Sequence, residues 1–330
     1  MGKRRLGKSE LTVNPVGLGC MGFSHAYGEP TEKSAAVAML RKAYDMGYDF
    51  FDTAECYTGF NSDGSISYNE ELVGEALKSV RDKVVIATKC GITFTDDGPV
   101  LDSSPEKIRQ SVEGSLKHLK TDYIDLYYQH RIDPNVGPEV VAETMGNLIK
   151  EGKIRAWGIS ETGEDYLRRA NSVCPVSAIQ NRYSMIARDY EGLFPVLEEL
   201  NVALVAFSPL GNGFLSGQYN SDSKFSQGVD FRSNMPQYTK EGFEKGKKLL
   251  DYLAELSKAK DCTAGQISLA WMLCKKPWII PIPGSRKEER LQENHNAGSV
   301  ILTTEEISKI DALLDGIEMP VYGRRSASNK

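Results

Sequence analysis

Short apolar runs alternate with longer amphipathic stretches along most of the chain. Uninterrupted apolar runs are typical of parallel strands buried on both faces, and a 3.6-residue apolar repeat is typical of helices packed on such a sheet. The predicted strands cover residues 16–19, 48–52, 84–88, 123–129, 154–159, 177–180, 202–207 and 278–282. The predicted helices cover about 31–46, 68–80, 138–151, 164–170 and 190–200, and others start near 104, 285 and 303. Eight strand–helix units favour a closed parallel barrel over an open sheet.

Two further elements flank this repeat. Residues 4–6 and 11–13 lie on either side of the turn-forming Gly7-Lys8-Ser9-Glu10 and predict a β-hairpin. Thr303-Thr304-Glu305-Glu306 is expected to cap a helix after the eighth unit. The predicted fold is therefore α/β, a (β/α)8 TIM barrel with an N-terminal β-hairpin closing its bottom and an extra C-terminal helix.

We expect a single barrel domain over residues 1–330, because no stretch has the composition of a linker. The hairpin falls within residues 1–15. The Gly-, Ser- and Asn-rich stretch 211–237 lies between the seventh strand and its helix and predicts a long loop at the barrel rim. The short polar tail, residues 323–330, is expected to be disordered.

Composition narrows the class of protein. The 45 acidic and 40 basic residues give a formal net charge of −5. A mildly acidic chain without a block of Lys or Arg argues against nucleic-acid and membrane partners. The N-terminus lacks the apolar core of a signal peptide, and the six cysteines show no metal-ligand spacing. We expect a cytoplasmic protein with free thiols and no metal; Cys20, Cys56 and Cys90 are either small apolar fillers or an oxidation-sensitive group.

A glycine motif at the first strand, Gly17-Leu18-Gly19-Cys20-Met21-Gly22, matches GxGxxG letter for letter. A dinucleotide-binding Rossmann unit would also need a helix that begins at the third glycine. Loop composition follows in residues 23–30 instead. The motif is therefore interpreted as a tight turn at the barrel rim, with its aromatic neighbours beside a substrate.

Four polar residues lie at the downstream ends of predicted strands. Asp52, Lys89 and His130 close the second, third and fourth apolar runs, and Tyr57 follows Asp52 by five residues. In a parallel barrel these strand ends meet at the C-terminal rim, where such barrels carry out their chemistry. The four side chains are thus expected to converge.

Taken singly, a strand-end Asp–Lys pair and one His have ordinary structural explanations. Together they suit proton donation, because a Tyr hydroxyl with a pKa of about 10 gives up its proton reluctantly at neutral pH. A nearby Lys89 ammonium would stabilise the phenolate of Tyr57 and lower its pKa, and Asp52 would hold the ammonium in place. A neutral His130 imidazole could then orient a carbonyl.

These residues also carry a family resemblance. Residues 52–57, 87–89 and 127–130 resemble the catalytic tetrad motifs of the aldo-keto reductase superfamily. Downstream segments resemble the family's cofactor segments in the same order: 158–160, 180–184, 207–211 and 283–286, followed by Glu293-Asn294. The resemblance extends from about Arg4 to Ile317 and is nearest to the microbial and plant branch that includes perakine-reductase-like enzymes.

The resemblance implies that NADPH/NADP+ is held at the rim. Ser160 and Gln180 would bind the carboxamide and Phe207 would stack on the nicotinamide. Ser208, Leu210 and Gly213 would contact the pyrophosphate. Arg286, Arg290, Glu293 and Asn294 would hold the 2′-phosphate and adenine, and Arg232 would close over the adenosine. The other candidate cofactor contacts are Gly19, Cys20, Met21, Pro209, Gly211, Gly284 and Ser285.

Three of these assignments have open alternatives. A helix opening at Gly284-Ser285-Arg286 suits a phosphate, but Arg286 and Arg290 could instead form a solvated face with Glu288, Glu289 and Glu293. Arg232 could be a surface arginine. Many relatives carry Asn where this chain has Glu161, so the role of Glu161 near the carboxamide stays open.

The predicted function is NADPH-dependent reduction of a small carbonyl substrate, an aldehyde or ketone, with Tyr57 as general acid. Phe23, His25, Tyr27, Phe60, Phe94 and the 211–237 loop are expected to wall an apolar pocket. Two alternatives remain. One is a nicotinamide-binding sensor or scaffold subunit with slow catalysis. The other is a barrel lyase or isomerase in which Lys89 forms a Schiff base.

Overall fold

The computed structural model describes residues 1–95, 97–228 and 230–321. The strands are β1 (Arg4–Arg5), β2 (Thr12–Val13), β3 (Leu18–Gly19), β4 (Phe50–Asp52), β5 (Thr58–Phe60), β6 (Ile66–Tyr68), β7 (Val85–Cys90), β8 (Ile92–Thr95), β9 (Gly98–Leu101), β10 (Ile124–Gln129), β11 (Ile154–Ser160), β12 (Ala178–Arg182), β13 (Ala203–Phe207) and β14 (Ile279–Pro281). The helices are α1 (Lys33–Asp45), α2 (Asn69–Leu77), α3 (Pro105–Leu119), α4 (Pro138–Lys150), α5 (Glu164–Val173), α6 (Phe194–Leu200), α7 (Lys240–Lys260), α8 (Ala264–Lys275), α9 (Glu288–Asn296) and α10 (Thr304–Asp315).

Eight parallel strands form one curled sheet in the order β14-β13-β12-β11-β10-β7-β4-β3. The two edge strands meet where the Gly17 N–H donates to the Pro281 carbonyl at 3.0 Å. Glycine is required at this seam, because a Cβ on Gly19 would lie 2.8 Å from the Ile282 carbonyl oxygen. Only a short 3₁₀ turn, Met21–Phe23, follows β3. The predicted (β/α)8 barrel is confirmed, and Gly17 and Gly19, the first two glycines of the GxGxxG motif, lie at its closure.

The barrel interior is a packed apolar core. Alternate residues of the strands point inward, among them Phe50, Val85, Leu126 and Val205. The N-terminal hairpin, formed by β1 and β2 in antiparallel pairing, contributes Leu6, Leu11 and Val13 to the same cluster. The predicted hairpin therefore covers one end of the barrel and leaves the opposite rim for chemistry.

Two helix starts follow from local hydrogen bonding as predicted. Ser104 caps α3 by accepting from the Lys107 N–H, and Pro105 occupies the first turn. Thr303 and Glu306 form a capping box at α10. The extra helix is held to the barrel by a 2.8 Å hydrogen bond from the Trp271 indole of α8 to Asp311.

The structure differs from the prediction at several elements. Two antiparallel hairpins, β5–β6 and β8–β9, rise at the rim and were not predicted. Two helices, α7 and α8, follow the rim loop after β13, where one was expected. The last barrel helix begins at Glu288, three residues later than predicted, because the Ser285 hydroxyl accepts from the Lys287 N–H in a local turn. The predicted disordered tail, 323–330, lies outside the described residues.

Within the part of the chain that the structure describes, no helix combines the length and apolar composition needed to span a bilayer.

Candidate active site

The two-residue period of the strands explains why the polar residues converge. On β4, the inward face carries Phe50 and then Asp52. On β7 the inward face carries Val85, Ala87 and finally Lys89, and the β10 series Leu126, Tyr128 ends at His130. Each polar side chain is therefore the last inward position of its strand. The backbone ladder extends past the strand ends, because the His130 N–H donates to Cys90 at 2.9 Å.

Lys89 is the centre of the site and is fully buried. Its ammonium donates to Asp52 Oδ1 at 2.5 Å, to the Thr53 carbonyl at 2.7 Å and to the Tyr57 hydroxyl at 3.2 Å. Burial disfavours the charged amine, yet the carboxylate of Asp52 and the phenol of Tyr57 together raise the pKa of Lys89. Lys89 is therefore a cation with three satisfied N–H groups.

Tyr57 lies on the turn between β4 and β5, where its N–H donates to the Ala54 carbonyl at 3.1 Å. Burial raises the pKa of Tyr57 above its ordinary value, Lys89 opposes the rise and Asp52 adds to it. The expectation that Lys89 would leave Tyr57 with a lowered pKa is wrong in its net direction, because desolvation of the phenolate outweighs the ammonium. Tyr57 consequently keeps its proton at neutral pH.

His130 completes the group at the edge of the Tyr57 ring, with ring centroids 5.6 Å apart and planes at 81°. Burial, then Lys89, Arg131 and His25 hold the pKa of His130 well below its ordinary value. The imidazole is therefore neutral, as the sequence argument requires for a group that donates to an oxygen. Its Nδ1 lies 3.4 Å from the Sγ of Cys56.

Ser160 and Gln180 lie on neighbouring strands, and Gln180 contacts the Asp52 carboxylate. They are directly paired between β11 and β12, and the Ser160 hydroxyl donates to the Gln180 backbone carbonyl at 2.9 Å. The Gln180 side-chain amide donates to Asp52 Oδ2 at 2.7 Å. Arg131 reaches across from β10 and donates to the Ser160 hydroxyl at 3.1 Å. Hydrogen bonds thus link Ser160 and Gln180, the two residues predicted to contact the carboxamide, to Asp52, which binds Lys89.

Glu161 adopts a left-handed backbone conformation with φ of 57°. Asn tolerates this conformation better than Glu. The Glu161 carboxylate accepts from the Arg182 N–H at 3.2 Å and from the Tyr190 hydroxyl at 3.4 Å. Its hydrogen bonds are thus to the protein scaffold around β12.

The residues predicted to bind the 2′-phosphate and adenine do not all lie at the start of one helix. Arg286 precedes α9 and is exposed, and it donates to the Tyr27 carbonyl at 2.7 Å and the Glu29 carbonyl at 3.0 Å. Arg290, inside α9, forms an ion pair with Glu293, which also accepts from the Thr263 hydroxyl at 2.6 Å. The alternative for Arg290, pairing with a carboxylate of its own helix, is therefore present, whereas Arg286 forms no ion pair with any carboxylate of the described residues.

The rim loop after β13 carries Arg232, and this loop pairs at Asp230 with Tyr27, the residue whose carbonyl binds Arg286. The Arg232 guanidinium binds both carboxylate oxygens of Asp230, at 3.0 and 2.6 Å, and the Tyr219 hydroxyl at 2.7 Å. It also lies over the Phe225 ring, 4.5 Å from the centroid. Arg232 is therefore packed inside the loop and is more enclosed than a surface arginine.

The turn from β13 into this loop contains four residues with positive φ. Ser208, Gly211, Asn212 and Gly213 have φ values between 50° and 100°. The Gly211 N–H donates to the Ser208 carbonyl at 2.9 Å, and the Gly213 N–H donates to the Leu210 carbonyl at 3.1 Å. Phe207, Pro209 and Leu210 lie between the end of β13 and these residues, and Phe207 packs against the barrel interior.

The remaining candidates are placed as follows. Gly19 and Gly284 face each other, because a Cβ on Gly284 would lie 2.7 Å from the Gly19 carbonyl oxygen. Met21 is partly buried beside them, Ser285 lies in the turn before α9, and Asn294 is buried within α9. The Cys20 thiol is fully buried in the core between sheet and helices.

Aromatic side chains border the open side of Tyr57. His25 stacks on Tyr57 with centroids 6.0 Å apart and on Phe94 with centroids 5.8 Å apart. Phe94 and Phe60, on the two rim hairpins, are 54% and 73% exposed, far above the norm for phenylalanine. Phe23, expected in the pocket wall, is instead buried in the core, because its 3₁₀ turn points the ring inward.

A family model described as Aldo/keto reductase family matches residues 15–315. The chain belongs to this family. The protein "Probable aldo-keto reductase 1" of Glycine max is 36% identical over 314 residues, which are 93% of this chain and 87% of that protein. The resemblance seen in the sequence is confirmed, and the protein is an oxidoreductase.

Solved structures agree with this assignment. A glycerol dehydrogenase from Gluconobacter oxydans superposes with a TM-score of 0.84 at 28% identity, covering 98% of this chain and 99% of that chain. An aldo-keto reductase from Bacillus halodurans, solved in its holo form, gives a TM-score of 0.78 at 27% identity, covering the same shares of the two chains. Members of the family use nicotinamide cofactors and act on small carbonyl compounds.

Several residues of the site were not found from the sequence. The Thr53 carbonyl, Cys56 and Arg131 all contact members of the tetrad. Each is a chain neighbour of a motif residue, and that adjacency was the available signal. The direction of a side chain in a turn, however, depends on tertiary packing that periodicity does not encode.

Proposed function

We propose that the protein reduces an aldehyde or ketone to an alcohol, with NADPH as reductant and Tyr57 as the proton donor. The observation that carries the proposal is the protonated Tyr57 hydroxyl held 3.2 Å from the buried Lys89 ammonium at the mouth of the barrel. When bound, the nicotinamide would supply the hydride to the carbonyl carbon.

The residues of this chain handle the charge that then develops on the substrate oxygen. Tyr57 gives its proton to that oxygen, and Lys89 stabilises the resulting phenolate. Asp52 keeps Lys89 charged and in place at 2.5 Å. The neutral His130 donates to the carbonyl oxygen and orients it. In the reverse direction the same groups accept the alcohol proton.

The donors around the site suit a phosphorylated dinucleotide. Arg286 forms no ion pair with a carboxylate of the described residues, and a 2′-phosphate would give it a direct anionic partner. Ser208, Leu210 and Gly213 are assigned to the pyrophosphate, and Ser160 and Gln180 to the carboxamide. Arg232, Arg290, Glu293 and Asn294 are assigned to the adenosine end. This arrangement favours NADPH over NADH.

The substrate is an apolar or aromatic carbonyl compound. His25 stacks on Tyr57, Phe94 stacks on His25, and Phe60 lines a pocket together with His25. Stacking and apolar contact are the interactions that suit such a wall. A Schiff-base reaction at Lys89 is disfavoured, because a nucleophilic amine needs a lowered pKa and the pKa of Lys89 is raised.

The test replaces Tyr57 with Phe, which removes one hydroxyl and leaves the ring. NADPH oxidation with a panel of aldehydes and ketones should fall by about 10²- to 10⁴-fold, the usual contribution of a general acid. NADPH affinity, followed by fluorescence quenching, should stay near that of the unmodified protein. Tyr252→Phe, on α7, is the matched control and should retain full turnover. Full activity in Tyr57→Phe would assign the proton to another group, and binding of NADPH without turnover of any substrate would favour a sensor role.

A further inference from the structure

Cys56 contacts a member of the tetrad through its side chain. Its Sγ lies 3.4 Å from Nδ1 of His130, and both residues are buried, with 8% and 6% of their surface exposed. We propose that Cys56 is a positioning residue for His130. The Cys56 thiol donates to Nδ1 of His130 and thereby holds the imidazole in the tautomer that carries its proton on Nε2. The consequence for catalysis rests on the proposed reductase function; the tautomer itself does not.

The direction of the hydrogen bond follows from the protonation of both partners. Burial, opposed by the charges of Lys89 and Arg131, raises the pKa of the Cys56 thiol to about 12, so the S–H is intact at neutral pH. His130 is neutral, because burial and the neighbouring cations lower its pKa. A bare imidazole nitrogen is a good acceptor, whereas a thiol sulfur is a weak one. The favoured arrangement is therefore S–H to Nδ1, which leaves the ring proton on Nε2.

The other histidine beside Tyr57 provides a contrast within the same site. Nδ1 of His25 lies 2.8 Å from the Thr58 carbonyl oxygen, and a carbonyl oxygen can only accept. His25 must therefore carry a proton on Nδ1. The two imidazoles next to Tyr57, one stacked on its ring and one at its edge, thus differ at Nδ1, which is protonated in His25 and bare in His130.

The tautomer decides what His130 can do. With the proton on Nε2, the ring nitrogen away from Cys56 is a donor and can bind the carbonyl oxygen beside the Tyr57 hydroxyl. With the proton on Nδ1 it would be an acceptor and would repel that oxygen. Cys56 directly precedes Tyr57 in the chain. The same turn therefore positions the Tyr57 hydroxyl and fixes the tautomer of His130.

The test is nitrogen NMR of the protein labelled with ¹⁵N-histidine. The chain has four histidines, and the resonances of His130 are assigned by their loss in His130→Asn. In the unmodified protein we expect an Nε2–H pattern for His130 and an Nδ1–H pattern for His25. In Cys56→Ala the His130 shifts should move toward the average of the two tautomers. kcat should fall by roughly ten- to a hundredfold, by analogy with the loss of a group that orients a metal-bound histidine, with the KM for NADPH unchanged.

Two further variants separate this role from packing. Cys56→Ser keeps a donor at the position and should restore most of the Nε2–H pattern and of kcat. Cys174→Ala removes an equally buried thiol that packs on Gly146, away from the tetrad, and should leave both unchanged. An Nδ1–H pattern at His130 in the unmodified protein would overturn the proposal. Unaltered shifts, or unaltered kcat, in Cys56→Ala would do the same. If the unmodified protein turns over no carbonyl compound, the proposed function fails, and the NMR pattern still decides the tautomer.

Discussion

Gln180 donates its side-chain amide to Asp52 at 2.7 Å, on the carboxylate oxygen opposite the one that binds Lys89. Both oxygens of a buried carboxylate are therefore satisfied, one by an ammonium and one by an amide. This bond uses one of the two N–H groups of the Gln180 amide, so the second N–H and the side-chain oxygen are left for other partners. Gln180 thus links the Asp52–Lys89 pair, which holds Tyr57, to the residues assigned to the nicotinamide carboxamide.

Replacement of Gln180 should therefore affect both stability and cofactor binding. Gln180→Met keeps the length of the side chain but leaves Asp52 Oδ2 without a donor, which should cost about 1–3 kcal/mol of unfolding free energy. The Kd for NADPH should rise in the same variant. Urea unfolding and fluorescence titration measure the two effects. Gln110→Met, on an exposed face of α3, is the control and should change neither. Normal stability in Gln180→Met would mean that water replaces the amide at Asp52.

Lys89 and Asp52 form the buried ion pair of the site, with 0% and 3% of their side chains exposed. Lys89→Met alone should destabilise the fold by about 3–5 kcal/mol, because it leaves an unpaired buried carboxylate. The double variant Asp52→Asn, Lys89→Met removes both charges and should recover most of that stability while remaining inactive. Denaturant unfolding and turnover measure the two properties.

An exposed ion pair provides the comparison. Lys247 and Asp251 are 70% and 63% exposed on α7, and Lys247→Met should change stability by less than about 1 kcal/mol. A loss in Lys89→Met no larger than this would mean that Asp52 becomes protonated or hydrated when its partner is removed. Recovery of turnover in the double variant would show that the ion pair is dispensable for chemistry.

The buried histidine should make the fold sensitive to mild acid. The pKa of His130 in the folded protein lies well below its ordinary value, chiefly because of burial. As the pH falls below about 6.5, the unfolded chain binds a proton that folded His130 refuses, so stability falls by up to about 1.4 kcal/mol per pH unit. His130→Asn should lose less stability than the unmodified protein between neutral pH and pH 5, as measured by urea unfolding.

His118 offers a control of opposite sign. Its hydrogen bond to Glu70 raises its pKa, so its contribution is complete below the unfolded pKa and is lost as the pH rises through the folded one. His118→Asn should therefore be less stable than the unmodified protein mainly at acid pH, where the protonated His118 stabilises the fold. Parallel pH profiles for the unmodified protein and His130→Asn would contradict a neutral buried His130.

The sequence supported the barrel and the tetrad for the same physical reason. A strand buried on both faces must be apolar throughout, so a polar residue such as Lys89 at its downstream end marks the rim. Once the runs are parallel strands of one sheet, the convergence of Asp52, Lys89 and His130 follows from topology. Only the number of strands and their direction are needed for this inference.

Features that depend on side-chain packing or on a balance of opposing effects were not predictable in this way. The hairpin Thr58–Phe60 with Ile66–Tyr68 has strands of three residues, too short for a periodic signal. The net rise of the pKa of Tyr57 depends on how far burial outweighs Lys89. The start of α9 depends on whether the Ser285 hydroxyl bonds within a turn or caps the helix. Each is decided by local geometry that similar sequences can resolve differently.

The last prediction concerns the choice between the two nicotinamide dinucleotides. Arg286 donates to two backbone carbonyls of the loop after β3 and has no carboxylate partner among the described residues. If it meets the 2′-phosphate, Arg286→Ala should raise the Kd for NADPH by at least about tenfold, since a charge-assisted hydrogen bond contributes about 1.5–3 kcal/mol. The Kd for NADH should change little, because NADH lacks that phosphate.

The control is Arg109→Ala, which removes an exposed arginine of α3 that pairs with Glu151 and should alter neither affinity. The binding of NADPH to Arg286→Ala should also lose part of its salt dependence, because the removed contact is ionic. Equal weakening of both nucleotides would instead indicate that Arg286 acts by holding the loop at Tyr27 and Glu29, and would leave the phosphate to Arg290 or Arg232.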